Sequence, residues 1–132
     1  MRMSFRMHGM MDYIIGLALL LAPNLLGFAD VPVAATVARV IGAIVLLQVL
    51  MTRFQYGAVK VIPVRMHLMM DYVIGLVLAV SPWLFGFADT KANAWMPHLI
   101  VGLLIIGQAA ITRPQPSVAD VRNIGDKPRR AA

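Results

Sequence analysis

The sequence predicts an all-α integral membrane protein, with four transmembrane helices arranged as two tandem helical hairpins. Three observations lead there. The 132 residues are 60% hydrophobic and 14% charged, with a mean hydropathy of +0.77, whereas a soluble domain has about 45–50% apolar and about 25% charged residues. Four apolar runs follow one another, each of roughly 20 residues, enough for a helix to cross about 30 Å of hydrocarbon. The third run is a copy of the first. MHGMMDYIIGLALLLAPNLLGFAD, from Met7 to Asp30, returns as MHLMMDYVIGLVLAVSPWLFGFAD, from Met66 to Asp89, identical at 16 of 24 positions with an offset of 59. Two hairpins entering from the same side are parallel repeats, which implies a pseudo-two-fold axis along the membrane normal.

The first repeat occupies residues 1–54. Arg2 and Arg6 ahead of an apolar run have the look of a signal peptide, but the same run recurs in mid-chain, where no cleavage signal could operate. The first segment is therefore a retained helix, TM1, over about 8–28, with Pro23 near its far end and Gly27-Phe28-Ala29-Asp30 closing it. Pro32 suits a helix start, since its missing N–H would be unpaired there anyway, and TM2 follows over about 33–53. So short a connection forces an antiparallel pair. A linker, 55–65, contains Lys60 and Pro63. The second repeat, 66–113, holds TM3 over about 66–87 and TM4 over about 94–113. The offset is now 60, so one residue has been added near the second hairpin turn, and Pro97 falls in the first turn of TM4. The tail, 114–132, is rich in proline and charge and is expected to be disordered.

Charge sets the orientation. Arg2, Arg6, Arg53, Lys60, Arg65, Arg113, Arg122, Lys127, Arg129 and Arg130 lie at the termini and in the linker, against Lys91 and Arg39 at the opposite side. The positive-inside rule then places both termini and the linker in the cytoplasm. Trp83 and Trp95 belong to the outer interfacial belt, Tyr13 and Tyr72 to the inner one. The net charge of +6 does not point to nucleic acid, because the basic residues flank apolar runs instead of forming a patch; the lipid bilayer is the partner. The absence of cysteine excludes disulfides and thiolate sites, which also weakens a soft-metal reading of the ten methionines.

Small residues at helical spacing mark the faces on which helices approach closely: Ala34, Ala38 and Gly42, with Gly102 as a counterpart in the second repeat. The polar residues form a repeated constellation. Each odd helix opens with Arg-x-His-x-x-x-Asp-Tyr, supplying His8 with Asp12 and His67 with Asp71; each even helix ends with Gln-x-x-x-Thr-Arg, supplying Gln48 with Arg53 and Gln108 with Arg113. His and Asp four apart share a helix face. Folding each hairpin about its turn brings Asp12 level with Gln48 and Asp71 level with Gln108, just inside the cytoplasmic face. The first reading is structural, with Asp–Gln and Arg–Asp contacts holding the hairpins in lipid. The second is a ligand: two His and two Asp for a divalent metal, or two His for a haem, if the repeats bring His8 near His67. The third is proton or ion handling through the two carboxylates. Residues 14–21, 40–47, 73–80 and 99–106 carry no ionisable, amide or hydroxyl side chain, so a transport site at the midplane is not expected. Arg39 is expected to snorkel outward or meet Asp30, and His98, in the place of Ala38, to hydrogen-bond across helices.

Ser81-Pro82-Trp83, in a helix ending Gly-Phe-Ala-Asp and followed by a second span, resembles the SPW repeat family, small membrane proteins named for that tripeptide. The resemblance covers the chain to about Arg113. The first copy reads Ala22-Pro23-Asn24 and keeps only the proline. What the resemblance implies is fold and location, an integral protein of a bacterial inner membrane; the family brings no established activity. Trp83 is expected to act as an interfacial anchor. No nucleophile triad, phosphate loop or HExxH motif is present, and no enzyme is expected. The function expected is that of a structural or accessory membrane protein, without cofactor, that associates with itself or a larger complex through its lipid-facing surfaces and small-residue stripes. A haem, quinone or metal binder is the alternative, and a small channel or transporter comes third.

Overall fold

The computed structural model describes residues 2–114, apart from the side chain of Lys91; the tail beyond them lies outside the described residues. Four α-helices account for most of the chain, and no β-strand occurs among the described residues: α1 (Phe5–Leu25), α2 (Pro32–Leu50), α3 (Val64–Leu84) and α4 (Trp95–Ile111). The first three are long and apolar enough to cross a membrane, and α4, with 17 residues, is a shorter apolar helix.

The helices begin and end where local chemistry dictates, a few residues from the sequence estimates. α1 starts at Phe5 because Ser4 is extended and its hydroxyl accepts a bond from the N–H of Met7. Pro32 occupies the first turn of α2. α1 and α3 both stop three residues before the 28 and 87 expected, because Gly27 and Gly86 have φ of +78° and +72°, the left-handed turn that glycine tolerates. Phe28 and Phe87 follow and turn back into the core. The added residue of the second turn lies near a 3₁₀ turn, Lys91–Asn93, where Ala92 and Asn93 take positive φ.

Within each hairpin the backbones come close at a glycine pair. A Cβ on Gly42 would lie 2.8 Å from the Gly16 carbonyl oxygen, and one on Gly102 would lie 2.6 Å from that of Gly75. Ala34, Ala38, Gly42 and Gly102 are all buried. The small-residue stripes are thus used inside the molecule, and association with another molecule must rely on other residues. Between hairpins, α1 faces α4 and α2 faces α3 more loosely. An aliphatic layer of Ile15, Leu19, Ile41, Val45, Ile74, Leu78 and Ile105 fills the middle.

Chain starts and helix ends meet at one end of the bundle. Met3 bridges to Thr112 through Met3 N–H to Ile111 O (2.8 Å) and Arg113 N–H to Met3 O (2.9 Å). Ile62 bridges to Thr52 in the same manner, with Ile62 N–H to Met51 O at 2.7 Å and Arg53 N–H to Ile62 O at 2.9 Å. The leader of α1 is therefore tied to the end of α4, and the leader of α3 to the end of α2. The linker folds back as well: Tyr13 donates to the Tyr56 carbonyl at 2.7 Å, and Arg6 donates to the Tyr56 hydroxyl at 2.9 Å.

Candidate functional site: a buried histidine–aspartate quartet

One turn into α1 and α3, His8, Asp12, His67 and Asp71 converge, each with 2% or less of its surface exposed. His and Asp at i and i+4 project from the same face of their helix, and that face looks across to the other hairpin. His8 Nε2 lies 2.8 Å from Asp71 Oδ2, and His67 Nε2 lies 2.8 Å from Asp12 Oδ2. The same atoms also approach within their own helices, at 3.2 Å for His8–Asp12 and 3.3 Å for His67–Asp71. Two imidazole nitrogens and two carboxylate oxygens thus alternate around a small ring.

The remaining atoms of the quartet are held from α2 and α4. Gln48 Nε2 donates to Asp71 Oδ1 at 2.7 Å, and Gln108 Nε2 donates to Asp12 Oδ1 at 2.5 Å. Asp12 and Gln48 were expected to pair within the first hairpin, and Asp71 and Gln108 within the second; the structure pairs each carboxylate with the amide of the other hairpin. Gln48 stands six residues after Gly42 and Gln108 six after Gly102, about 120° around the helix from the glycine that faces the hairpin partner, so each amide leaves its own hairpin and reaches the other one. Arg53 and Arg113 do not join. The Arg53 guanidinium bonds the Lys60 carbonyl at 3.3 Å, the Arg113 backbone bonds Met3, and both residues are exposed. The Arg–Asp contacts expected from sequence do not form among the described residues, because both arginines lie past the last helical turn.

Two threonines complete the site, and their spacing four residues after each glutamine was the signal for them. Thr52 donates to the Gln48 carbonyl one turn back, at 2.6 Å, and Thr112 donates likewise to Gln108. Each hydroxyl proton is committed there, so the oxygen accepts from an imidazole: His67 Nδ1–H at 2.7 Å from Thr52 and His8 Nδ1–H at 2.8 Å from Thr112. The tautomer follows. With both Nδ1 atoms protonated and each Nε2 facing only carboxylate oxygen, each short Nε2···Oδ2 contact needs a proton of its own. The quartet so protonated is neutral as a whole, which is how four titratable groups can be buried together without a net charge.

The site is closed on both sides. Phe5 stacks on the His8 ring, with centroids 5.2 Å apart and planes at 15°, and meets the His67 ring edge-on at 5.1 Å. Phe54, four residues past the end of α2, packs against Phe5 and lies over Gly9, where a Cβ would come within 2.4 Å of its ring. On the other side lies the aliphatic layer.

Other polar and aromatic residues of the spans lie away from the quartet. Ser81 is fully buried, and its hydroxyl donates to the Leu78 carbonyl at 2.6 Å. That carbonyl lies four residues before Pro82, whose ring has no N–H to offer it. The serine therefore supplies the hydrogen bond that the proline removes. Trp83 is 56% exposed and lies 6.3 Å from Trp95 between ring centroids. In the first repeat, Asn24 stands in the place of Trp83 and accepts a bond from Arg39 at 2.9 Å, so Arg39 meets Asn24 and not Asp30. At the far end of the bundle, His98 bridges helices: its two ring nitrogens lie 2.6 Å from Ala94 O and 3.1 Å from Ala34 O, between Phe28 and Phe87.

Comparison with known proteins adds one finding. A family model described as the SPW repeat domain matches residues 6–112. No curated protein and no solved structure matches the chain.

Proposed function

The chain belongs to the SPW repeat family, and from that premise we propose that it is a small structural component of a bacterial inner membrane, built to associate with its own copies or a larger complex. Its two hairpins are related by a pseudo-two-fold axis along the membrane normal, its helices cross the bilayer four times, and both termini face the cytoplasm. The observation that carries this reading is the reciprocity of the quartet: Gln48 bonds Asp71 and Gln108 bonds Asp12, each across the seam between hairpins. The polar groups clasp one repeat to the other, and large apolar side chains such as Leu17, Leu21, Leu47, Val73, Leu76 and Leu103 are left facing outward.

The haem and channel readings find less support. The imidazole nitrogens already meet carboxylates at 2.8 Å, which leaves no slot for a haem between them. The aliphatic middle layer offers no polar path for an ion.

Native mass spectrometry of the protein extracted gently from its own membrane tests the proposal. A homo-oligomer or a stoichiometric complex is expected, and a bare monomer under every mild condition would end it. Orientation is tested separately on the cysteine-free chain: a membrane-impermeant maleimide should label Thr90→Cys in intact cells and leave Gln55→Cys unlabelled until the cells are broken.

A further inference from the structure

We propose that the quartet is a binding site for one divalent first-row transition ion, with His8 Nε2, His67 Nε2, Asp12 Oδ2 and Asp71 Oδ2 as ligands. A clasp alone needs two contacts. Here both carboxylates present one oxygen to both imidazoles, and all four atoms lie within 4.8 Å of one another. Around a tetrahedral ion with ligand distances of about 2.0–2.1 Å, neighbouring ligand atoms stand about 3.3–3.4 Å apart. The two contacts within helices, 3.2 and 3.3 Å, already have that spacing; the two between hairpins, 2.8 Å each, must open by about half an ångström, and the pairs across the ring, within 4.8 Å, must close toward it.

The surrounding contacts are those a metal site requires. Metal-bound imidazole donates its other N–H to a fixed acceptor, and bound carboxylates are held through their second oxygen. Thr112 and Thr52 accept from the two Nδ1 atoms, while Gln108 and Gln48 hold the two Oδ1 atoms. Charge agrees as well. The hydrogen bonding places two protons on the Nε2–Oδ2 contacts, so one divalent ion replacing both leaves the buried site neutral. The oxygen atoms Gln48 Oε1 and Gln108 Oε1 are buried without a partner beside it, so the amides retain unused acceptors. Two imidazoles with two carboxylates suit Zn²⁺, Fe²⁺ or Mn²⁺ and, lacking thiolate, not Cu⁺. Phe5 closes the route from the helix starts.

The test uses the full chain in nanodiscs, stripped with chelator and titrated with Zn²⁺ by calorimetry in buffers of different ionisation enthalpy. One ion per chain and release of two protons are expected. Co²⁺ should give the intense visible bands of a four-coordinate site. Phe5→Ala should take up the ion faster with the same stoichiometry. Thr52→Val with Thr112→Val should bind about 10–100-fold more weakly. Asp12→Asn with Asp71→Asn should abolish the site, its folding checked by circular dichroism. Failure of both the parent chain and Phe5→Ala to bind at equilibrium would overturn the proposal, as would binding without proton release or binding unchanged in the folded double-Asn variant.

Discussion

Single side chains in this protein answer for defects in the backbone or in a neighbour. Ser81 is the clearest case, since its hydroxyl fills the carbonyl that Pro82 leaves open. Ser81→Ala should lower stability by about 0.6–1.7 kcal/mol, the range of side-chain hydrogen bonds in membrane helices, and Ser81→Thr should recover most of it. Unfolding in mixed micelles monitored through Trp83 and Trp95 measures both. In the quartet the loss is larger, because removing one member strands a buried partner. Asp71→Ala should cost about 3–5 kcal/mol in the same assay. At this scale the sequence was informative about who takes part but not about who meets whom. His8, Asp12, His67 and Asp71 stand out as polar residues repeated in apolar helices. The pairing of Gln108 with Asp12 depends on which faces the hairpins present to each other, and spacing within one helix carries no record of that. Asn24 and Arg39 show the same limit: fifteen residues separate them, and only the antiparallel register makes them neighbours.

Helices here are joined by two kinds of contact, tight and apolar within a hairpin, looser and polar-clasped between hairpins. The tight kind depends on glycine. Gly102→Ala drives a methyl to within 2.5 Å of the Ala79 backbone nitrogen, and the two helices must separate. A loss of about 1–3 kcal/mol is expected, more for Gly102→Leu, with weaker cross-linking between cysteines placed on α3 and α4. Gly107, whose added Cβ would meet nothing within 4 Å, should tolerate alanine and serves as the control. Apolar runs, turn glycines and Pro32 made the four helices legible. Their ends were not, because Ser4 extends α1 toward the N-terminus while the glycine turns cut α1 and α3 short. Phe5 and Phe54 were not legible for a related reason: an aromatic residue at a helix start or just past a helix end has no periodic signature, and only tertiary packing places it at the His rings.

At the scale of the molecule, the repeats differ in chemistry at the end of the bundle far from the quartet and agree at the end where the chain begins. Trp83 beside Trp95 gives the second repeat an aromatic edge; Asn24 with Arg39 gives the first a polar one. The aliphatic layer between these ends separates the His98 bridge from the quartet, so substitutions at the two should be independent. His98→Ala combined with Thr52→Val should change stability by the sum of the single effects to within about 0.5 kcal/mol. The crossed glutamine–aspartate bonds bear on what happens when the gene is split. A lone hairpin carries a carboxylate whose amide lies on another chain, so it completes its polar core only by pairing with a second hairpin. Cut at Gly57 and expressed as two separate fragments, the halves should therefore find each other in the membrane and co-purify, and they should fail to do so when Gln48 and Gln108 are both replaced by leucine.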